Sequence, residues 1–420
     1  MKKHADKLKI ACIGAGSSGV GQMILMEQYE PGCCVAFCDR NRKLFDQMVN
    51  GKPYGVDMSI LRPDFKDLPY YVNADEMFAN EDINTVIIAT YCCAHAEMVE
   101  KCVKQGVNII LEKPIAITRP DVEKVWKLLK HYPRIATVNF TMRGAPVSLA
   151  AKRHVKNGAI GRIVSVQYIN NVHYGDGYFR NWMRTRENIG SLLLQKATHD
   201  LDIINSIIGL KPINIAAFGS RQVYGGKMPN ELTCDDCKKK YTCAMSIYRR
   251  QLDGAKPLPA LHQRLCVYAR EINIDDNQVL IIQYEGGVTA SYSQTFNAPA
   301  RGGQREGLFI GTEGIMDLKY YGDFVETPKA EMIFGASHLT IRRRNAKPAS
   351  QIHEVYDWAG HNHFDGTEYG KEAQLELLHG RPSEAAGTIR EGYISARMCL
   401  AAQESIETSK VISLNLDKTL

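Results

Sequence analysis

A glycine-rich turn near the start of the chain constrains the fold more than any other feature. The apolar run KIACI leads into Gly14, Gly16 and Gly19, which form G-x-G-x-x-G at the head of a segment with helical spacing. The first glycine allows a tight turn, the second lets the backbone approach a pyrophosphate, and the third permits close helix–strand packing. The motif predicts a dinucleotide site in which the helix N-terminus, with Ser17 and Ser18, faces the phosphates.

Apolar runs alternate with helical patterns throughout the first third of the chain. CCVAFCDR, NTVIIAT and VNIILEKP are strand-like, and HAEMVEKCVKQG has helical spacing and ends at Gly106, a residue suited to a helix C-terminus. Strands that alternate with helices are typical of a parallel, doubly wound sheet. We therefore predict an α/β fold with an N-terminal Rossmann domain over residues 1–140.

The pattern changes near residue 141. Period-two runs flank Gly286–Gly287 and a second turn at Glu313–Gly314, and such runs predict antiparallel hairpins. These hairpins and the helical segments between them predict a C-terminal α+β domain over residues 141–420 with an antiparallel sheet. Within that domain we expect a polar, cysteine-bearing insertion at about 225–268 and a closing helix at about 384–409.

An acidic residue at the end of the second predicted strand bears on the choice of cofactor. Asp39 follows Gly19 by twenty residues, where a carboxylate accepts hydrogen bonds from a ribose 2′-OH and repels a 2′-phosphate. This position favours NAD. Arg40 and Arg42 come next, and an arginine there accommodates a 2′-phosphate, so NADP stays open.

Composition and charge exclude several classes of protein. The formal net charge of +6 is spread over 420 residues without a concentrated Lys/Arg block, so we expect no nucleic-acid partner. No apolar run reaches the ~18 residues of a membrane span, and the start has no apolar segment typical of a signal peptide. The twelve cysteines include the adjacent pairs Cys33–Cys34 and Cys92–Cys93 in apolar segments, which favours reduced thiols and a cytoplasmic protein.

Three further motifs join the glycine turn and Asp39: LEKP at 111–114, GAIGRIVSV at 158–166 and HDLD at 199–202. With this combination the chain resembles the Gfo/Idh/MocA family of nicotinamide-dependent oxidoreductases over nearly its whole length. The resemblance implies a Rossmann domain, a larger open antiparallel sheet and a site in the cleft between them. It also implies a sugar, cyclitol or related substrate, and homo-oligomers, dimers or tetramers, formed through the open sheet.

The resemblance implies roles for individual residues. Lys113 and His199 are placed beside the hydroxyl that loses hydride, and Thr90 and His95 line the nicotinamide pocket. Glu112 precedes Lys113 at the carboxyl end of a strand, the edge where open α/β sheets bind ligands. From the local sequence alone, a strand-end salt bridge is the favoured interpretation of this motif.

Two positions depart from the family pattern. In the family, a proline usually comes soon after the threonine that matches Thr90, whereas this chain has Tyr91 and Cys92 there. An aspartate usually stands four residues before the histidine, whereas this chain has Gln195 followed by Lys196. Because an amide cannot act as a base, the usual carboxylate is absent or supplied elsewhere, and the inference of a typical substrate is weaker.

The segment LLLQKATHDLDII predicts a helix with an unusual polar stripe. Gln195, His199 and Asp202 are spaced i, i+4, i+7 and share one face, with Lys196 and Asp200 beside it. Histidine titrates near neutral pH and suits removal of a hydroxyl proton, while an ammonium group from Lys113 or Lys196 would lower its pKa and stabilise an alkoxide. The alternative is a structural Lys196–Asp200 ion pair with His199 as a satisfied core residue.

The preceding segment HYGDGYFRNWMRTRENIG, residues 173–190, is rich in aromatic side chains and arginine. Aromatic faces suit the C–H faces of sugars, and arginine suits carboxylate or phosphate. The predicted substrate contacts are therefore Tyr178, Arg180 and Trp182, together with Arg143, Gln195 and His199. A packed loop without substrate contacts is the alternative.

Four cysteines fall within the predicted insertion. Cys234 and Cys237 form Cys-x2-Cys, and Cys243 and Cys266 follow in a polar stretch. Four thiolates suit tetrahedral zinc, and a metal would replace the missing apolar core of such a segment. We therefore predict a tentative structural zinc site, with a reduced set of thiols as the alternative.

Together these features predict an NAD(P)-dependent oxidoreductase that transfers hydride between nicotinamide and a hydroxyl carbon of a sugar, cyclitol or glycoside. Lys113, His199 and Lys196 are the predicted catalytic residues. The alternative is a redox-neutral glycoside hydrolase or lyase that oxidises the sugar transiently and restores the cofactor. A third possibility, a dinucleotide sensor without activity, is disfavoured by the number of polar site residues.

Overall fold

Two sheets organise the chain in a computed structural model that describes residues 7–50, 64–252, 264–299, 302–320, 324–326, 332–344, 351–359 and 363–419. Of the predicted insertion at about 225–268, residues 253–263 lie outside the described residues. Each sheet belongs to a different part of the chain. The two parts meet where the Lys113 amine donates to the Gln195 carbonyl oxygen.

The first sheet is built from short buried strands separated by helices. Its parallel strands are β1 (Ile10–Ile13), β2 (Cys34–Cys38), β3 (Tyr70–Tyr71), β4 (Thr85–Ile88), β5 (Asn108–Leu111) and β6 (Ala136–Val138). The helices are α1 (Ser17–Tyr29), α2 (Arg42–Val49), α3 (Ala74–Asn80), α4 (His95–Gln105) and α5 (Arg119–Leu129). The spatial order β3-β2-β1-β4-β5-β6 confirms the predicted doubly wound sheet.

Local sequence explains the ends of these helices. Helix α4 ends at Gly106, which adopts a left-handed φ of 67° as predicted. Helix α5 begins after Thr118, whose hydroxyl accepts from the Asp121 amide, and Pro120 occupies its first turn.

Strand β1 lies between β2 and β4, so the glycine turn that follows β1 lies where the strand order reverses. Ligands usually bind at this edge of such sheets.

The second sheet has nine strands and lies in the C-terminal part of the chain. The helices and strands of this C-terminal part, in chain order, are α6 (Pro146–Lys156), β7 (Ile163–Asn171), α7 (Arg186–Ile189), α8 (Thr198–Ile208), β8 (Pro212–Ser220), α9 (Ile247–Leu252), β9 (Asn277–Tyr284), β10 (Thr289–Thr295), β11 (Gln304–Gly311), β12 (Gly314–Lys319), β13 (Phe324–Glu326), β14 (Met332–Phe334), β15 (Ala336–Arg343), β16 (Ile352–Asp357), α10 (Gly366–Leu378), β17 (Gly387–Thr388), α11 (Ile389–Thr408) and β18 (Ile412–Ser413).

Both predicted hairpins are present in this sheet. The spatial order is β16-β15-β12-β11-β7-β10-β9-β8-β18, and β13 and β14 form a separate two-stranded sheet. Strands β9 and β10 are antiparallel across the turn Glu285–Gly287, and β11 and β12 are antiparallel across the second turn. All neighbours are antiparallel except β7 and β10, so the sheet is mixed.

One face of the second sheet is covered by helices and the other is not. Helices α6, α8 and α11 pack against the inner face. On the outer face, Phe218 is 78% exposed, and its register partner Val279 and nearby Ile281 are also exposed. We call these three residues, with the exposed Val355 that the strand register places on the same side, the outer apolar face.

The last part of the chain returns to the first sheet. Strand β17 pairs antiparallel with β6, α10 packs against α1 and the turn Thr141–Gly144, and α11 packs against α5 and α8. The predicted closing helix at about 384–409 is α11, which begins only at Ile389, after a capping box formed by Thr388 and Glu391. Helix α10 is not predicted from the sequence. The domain boundary at residues 140–141 stays a prediction.

Candidate active site

The glycine turn between β1 and α1 leaves no room for side chains. Gly14 has a φ of 100°, and a Cβ there would lie 2.4 Å from the Thr90 nitrogen. A Cβ on Gly19 would lie 1.9 Å from the Gly14 carbonyl oxygen. The turn forms one wall of a cavity that is also lined by Gly16, Asp39 and, as the sequence predicts, Arg40 and Thr90. The close backbone approach and the cavity fit a dinucleotide phosphate site.

The Asp39 carboxylate is held in place by backbone amides. Its Oδ2 accepts from the Ala15 nitrogen at 2.9 Å and its Oδ1 from the Asn41 nitrogen at 2.8 Å. Arg42, the second arginine after it, is bonded to Asp46 on α2 and stacks over the Tyr70 ring. The Asp39 carboxylate at the cavity wall therefore fits a ribose diol, and the Arg42 guanidinium is engaged elsewhere.

The Ser18 and Glu112 side chains contact each other, and their predicted roles as cofactor ligands stay predictions. The Ser18 hydroxyl donates to Glu112 Oε1 at 2.8 Å, and Gln22 and Asn139 donate to the same oxygen at 2.7 Å each. A carboxylate with this many donors inside the protein ties α1 to the ends of β5 and β6. Ser17 is the first residue of α1, at the phosphate end of the helix.

Lys371 completes this network and is not predicted from the sequence. It projects from α10, is fully buried, and its Nζ donates to Gln22 Oε1 at 2.5 Å, Asn139 Oδ1 at 3.0 Å and Gln374 Oε1 at 2.7 Å. All three hydrogens of its ammonium group therefore have acceptors. Burial lowers the pKa of Lys371 to about 7, and the nearby Glu112 carboxylate opposes that shift.

His95 is also structural, which corrects its predicted place against the nicotinamide. The ring is fully buried, with Nδ1 2.7 Å from the Pro114 carbonyl oxygen and Nε2 3.2 Å from the Thr90 carbonyl oxygen. Burial lowers the pKa of His95. His95 thus fixes the loop after β4 against the Lys113–Pro114 segment and shapes the pocket from behind.

Lys113 lies at the meeting point of the two parts of the chain. Its Nζ donates to the Gln195 carbonyl oxygen at 2.9 Å. Burial lowers the pKa of Lys113, Glu112 opposes that shift, and the charges of Lys196 and Arg305 add to it. The structure therefore brings the Lys113 amine to the helix that carries His199, as the resemblance implies.

That helix begins with a π-helical turn over Leu193–Ala197 and continues as α8. The wider turn breaks the regular spacing behind the predicted stripe, because i, i+4, i+7 positions share a face only in an α-helix. Gln195 Nε2 lies 2.9 Å from Cys92 Sγ, on the side of the first sheet. Asp202 instead pairs with Arg143, Nε to Oδ2 at 2.6 Å, so it does not line the cleft and that expectation is corrected.

Two predicted substrate contacts are committed to interior ion pairs. Arg143 is buried and bonds both Asp202 and Glu391, which joins α8 to the start of α11. Arg180 is buried and bonds Asp176, the Met245 carbonyl oxygen and Cys234 Sγ. Because these partners use the guanidinium groups inside the protein, the substrate-binding prediction for both arginines is corrected.

Lys196 does not pair with Asp200. The Asp200 carboxylate accepts from Arg305 Nε at 2.7 Å, Asn170 Nδ2 at 2.7 Å and the Tyr292 hydroxyl at 2.8 Å. The Lys196 amine instead donates to the Tyr174 hydroxyl and lies 4.9 Å from the centre of that ring. Burial and then repulsion by Arg305 lower the pKa of Lys196 to about 7, with Asp200 opposing.

His199 is buried, and one nitrogen of its ring is unsatisfied among the described residues. Its Nδ1 has no partner in the part of the chain that the structure describes, and its ring centre lies 5.7 Å from that of His363. Burial and then the Lys113 charge hold the pKa of His199 well below its usual range, so the ring is neutral at pH 7. The interpretation of His199 as a satisfied core residue therefore does not fit its surroundings.

His363 belongs to the same cluster and is missed by the sequence analysis. It is only partly buried, has a φ of 54°, and precedes α10. Burial and the charges of Lys196, Arg305 and Lys113 lower its pKa. No motif surrounds it in the sequence, so only its place in the fold brings it to the site.

Aromatic side chains stand beside this cluster. Tyr91, in the loop where a proline is usual, stacks on Trp182 with ring centres 4.4 Å apart and is 48% exposed. Tyr174 and Tyr178 stack with centres 6.4 Å apart. The contact between Tyr91 and Trp182 spans the two parts of the chain, and the predicted substrate contacts of Tyr178 and Trp182 stay predictions.

The four cysteines of the insertion surround one small cavity but do not form a metal-binding set as placed. Cys234, Cys237, Cys243 and Cys266 line it. Tetrahedral zinc with bonds of about 2.3 Å requires sulfurs about 3.8 Å apart. Over the described residues, the one group of three or more ligand atoms within 4.8 Å of one another is Glu27, Cys33 and Cys34. The sulfurs therefore do not fit a zinc ion in this arrangement.

Comparison with protein families agrees with this geometry. Residues 8–140 match the oxidoreductase family with an NAD-binding Rossmann fold, and residues 148–317 match the GFO/IDH/MocA C-terminal domain. The chain belongs to the Gfo/Idh/MocA family. Gfo/Idh/MocA proteins are oxidoreductases of the type that the glycine turn and the cleft residues predict.

Curated members of the Gfo/Idh/MocA family align with this chain over part of its length. YteT of Bacillus subtilis (strain 168) is 30% identical over 252 residues, 54% of this chain and 59% of that protein. The 2,7-anhydro-N-acetylneuraminate hydratase of Mediterraneibacter gnavus is 24% identical over 217 residues, 52% of this chain and 54% of that protein. The chain thus spans between half and three fifths of the length of these relatives.

Solved structures match the whole Gfo/Idh/MocA fold. Levoglucosan dehydrogenase in complex with NADH and levoglucosan superimposes with a TM-score of 0.70 at 18% identity, covering 97% of this chain and 100% of that one. At this identity the likeness establishes the fold alone.

Across the described residues, none of the helices has the length and apolar character that crossing a bilayer requires.

Proposed function

We propose that the protein is a dehydrogenase that transfers hydride between a nicotinamide cofactor and the CH–OH carbon of a sugar-like substrate. The observation that carries this proposal is the neutral, buried His199, which has an unused ring nitrogen among the described residues and whose pKa the Lys113 charge helps to lower. Levoglucosan dehydrogenase of Pseudarthrobacter phenanthrenivorans, 31% identical over 131 residues, adds support for the substrate class.

The chain's own residues supply positioning and proton transfer. The backbone of the glycine turn and the N-terminus of α1 hold the pyrophosphate, and Asp39 holds the ribose. When bound, the nicotinamide accepts the hydride from the substrate carbon. His199 is neutral at pH 7 and takes the hydroxyl proton, while the Lys113 amine, fixed by the Gln195 carbonyl oxygen, stabilises the oxygen from which the proton leaves.

We propose NAD rather than NADP as the cofactor. Two backbone amides fix the Asp39 carboxylate at the wall of the cavity, where it would repel a 2′-phosphate. Arg42, which could neutralise that phosphate, is engaged by Asp46. Titration of the purified protein with NAD⁺ and NADP⁺ tests this choice, and tighter binding of NADP⁺ would contradict it.

The activity is tested by absorbance at 340 nm with NAD⁺ and a panel of sugars, cyclitols and anhydrosugars that includes levoglucosan. We expect stoichiometric NADH formation with at least one member, and loss of that signal in the His199→Ala variant. Tight NAD⁺ binding without NADH formation across the panel would count against a dehydrogenase.

A second candidate function is redox-neutral cleavage or hydration of a glycoside. The observation that favours it is Lys196, whose pKa of about 7 and contact with the Tyr174 hydroxyl provide an acid–base group beyond the one that dehydrogenation needs. Oxidation of one carbon acidifies the neighbouring C–H, Lys196 removes that proton, and the leaving group departs. Water then adds where the leaving group stood, a proton from solvent returns to the neighbouring carbon, and the hydride returns to the oxidised carbon. Deuterium from D2O would then enter the product next to the oxidised carbon, without net NADH.

We also propose that the protein forms homo-oligomers through the outer apolar face. Exposure of 78% for Phe218 and 54% for Ile281 is unusual for large apolar side chains within one sheet. The Ile281→Lys variant should dissociate the oligomer in size-exclusion chromatography with light scattering. Tyr29→Lys, a change of an exposed residue on α1, is the matched control and should leave the mass unchanged.

A further inference from the structure

The cleft contains two ammonium groups that have no carboxylate partner. Among the described residues, neither the Lys113 nor the Lys196 amine lies within ion-pair distance of an acid; the first contacts the Gln195 carbonyl oxygen and the second the Tyr174 hydroxyl. Buried charges in proteins are normally paired, because an unpaired charge loses its hydration without compensation. The two lysines therefore leave room for a negative charge that the protein itself does not bring.

The nearest carboxylates are already used. Asp200 accepts hydrogen bonds from Arg305, Asn170 and Tyr292. Glu112 accepts from the side chains of Ser18, Gln22 and Asn139. Gln195, next to Lys196 in sequence, is a neutral amide bonded to the Cys92 thiol. None of these groups is placed to pair with Lys196.

Neutral donors surround the same position. The ring of His363 is partly exposed, and its Nδ1 lies 3.2 Å from the Thr367 hydroxyl oxygen. Its ring centre lies 5.7 Å from that of His199, which follows Lys196 by three residues in the chain. The Tyr174 side chain, which Lys196 contacts, is 41% exposed. An ammonium group with a phenol and an imidazole beside it forms a set of donors that suits a carboxylate rather than a neutral hydroxyl.

We propose, building on the dehydrogenase function above, that the substrate is an anionic sugar whose carboxylate binds Lys196 with Tyr174 and His363. The reacting hydroxyl then lies toward Lys113 and His199, on the cofactor side. The carboxylate supplies the charge that the cleft lacks, so binding of a sugar acid is favoured over binding of the corresponding neutral sugar.

This proposal implies a coupling between binding and protonation. With a pKa of about 7, Lys196 is about half protonated near neutral pH, and a bound carboxylate favours its ammonium form. Affinity for the acid is therefore highest below pH 7 and falls as the pH rises above it. The titratable and charged groups that face Lys196 from the surrounding elements are His173, Tyr174, Asp200, Arg305, Lys113, His199 and His363.

Calorimetric titration of the NAD-loaded protein with matched pairs tests the proposal: D-glucuronate against D-glucose, and D-galacturonate against D-galactose. We expect at least one acid to bind about tenfold or more tightly than its neutral partner, as a charge-assisted hydrogen bond provides. The preference should be larger at pH 6.5 than at pH 8.5. Equal or tighter binding of the neutral sugars, or no binding of either acid, overturns the proposal.

Variants localise the effect. Lys196→Gln should abolish the preference for the acid, and Lys196→Arg, which keeps the charge, should retain it. Lys127→Gln removes the same charge from an exposed position on α5 and is the matched control. Retention of the full preference in Lys196→Gln would overturn the proposal. A circular dichroism spectrum of each variant establishes that it is folded.

The outcome separates this proposal from the proposed function. If neutral sugars are preferred and are oxidised with NADH formation, the dehydrogenase stands and the anion site fails. If the acids bind through Lys196 but no NADH forms at 340 nm, the anion site stands and the dehydrogenase fails.

Discussion

Two buried histidines and two buried lysines allow two regions to be compared directly: the interior scaffold, which holds His95 and Lys371, and the cleft, which holds His199 and Lys196. In the scaffold, both His95 nitrogens lie against carbonyl oxygens and the Lys371 amine has three acceptors. In the cleft, His199 Nδ1 has no partner among the described residues and the Lys196 amine meets only a phenol. Lys196 and Lys371 nonetheless share a pKa of about 7, since burial is the leading cause for both.

The difference teaches that a perturbed pKa alone does not identify a site residue. Both lysines are buried, so both lose hydration, and the shift records that loss wherever it occurs. What distinguishes them is hydrogen-bond satisfaction. A fully satisfied group stabilises one structure, whereas an unsatisfied group facing a cleft is available to a ligand.

Replacement of the cleft histidine should have the largest effect. His199→Ala should reduce kcat by about 10²–10⁴-fold, because a general base contributes that much, while the Kd for NAD⁺ stays the same. Steady-state kinetics and a fluorescence titration with NAD⁺ measure the two quantities. An unchanged kcat would remove His199 from the chemistry and break the contrast with His95.

The scaffold lysine should affect stability instead. Lys371→Met removes the amine donor from the Gln22 and Gln374 oxygens, while Asn139 Oδ1 keeps the Gln374 Nε2 donor at 3.3 Å. The variant should lower the free energy of unfolding by about 2–4 kcal/mol, since each unsatisfied buried group costs about 1–3 kcal/mol. Lys196→Met leaves no such acceptors and should change it much less. Urea unfolding followed by circular dichroism measures both variants, and an equal loss in the two would show that the lysines are not different in kind.

Stability should also depend on pH through Lys371. The pKa of Lys371 is about 7 in the folded protein and about 10.4 in the unfolded chain, so between these values the unfolded chain binds the extra proton. The free energy of unfolding therefore rises with pH over that window, by up to about 1.4 kcal/mol per pH unit for this group. The difference between the wild type and Lys371→Met, measured in urea from pH 7 to 9, should follow that slope; a flat difference would contradict it.

The smallest effect is expected at Ser18. Because its hydroxyl donates to Glu112, Ser18→Ala should lower the free energy of unfolding by about 1 kcal/mol and leave the Kd for NAD⁺ nearly unchanged. The two measurements are urea unfolding and NAD⁺ titration. Weaker NAD⁺ binding with unaltered stability would return Ser18 to the cofactor site, where the sequence first placed it.

The parts of this fold that the sequence predicts are those with local causes. The glycine turn, the parallel strands and the hairpin at Gly286–Gly287 each follow from a short pattern of residues. Lys113 and His199 are predicted site residues because each stands in a recognisable motif. These features need no knowledge of distant contacts.

The parts that the sequence does not predict depend on distant partners. The π-helical turn at Leu193–Ala197 is invisible to a search for α-helical spacing, so the sequence places Gln195 on one face with His199 and Asp202. Asp202 lies in α8 with His199, and its pairing with Arg143 depends on a residue 59 positions earlier in the chain. Arg143 and Arg180 resemble substrate contacts until their interior acceptors are seen. The glycines of α10 weaken its helical pattern, and nothing near Lys371 or His363 in sequence signals their roles.

The position of Lys371 has a consequence for the order of events during synthesis. Its partner Gln22 lies 349 residues earlier in the chain. At roughly 5–20 residues per second on the ribosome, about 20–70 seconds pass between the appearance of the two residues. During that interval the Gln22 and Asn139 oxygens that will accept from Lys371 depend on water, and the first sheet lacks β17. The nucleotide-binding part therefore emerges before the C-terminal part but is completed only after α10 and β17 have been made.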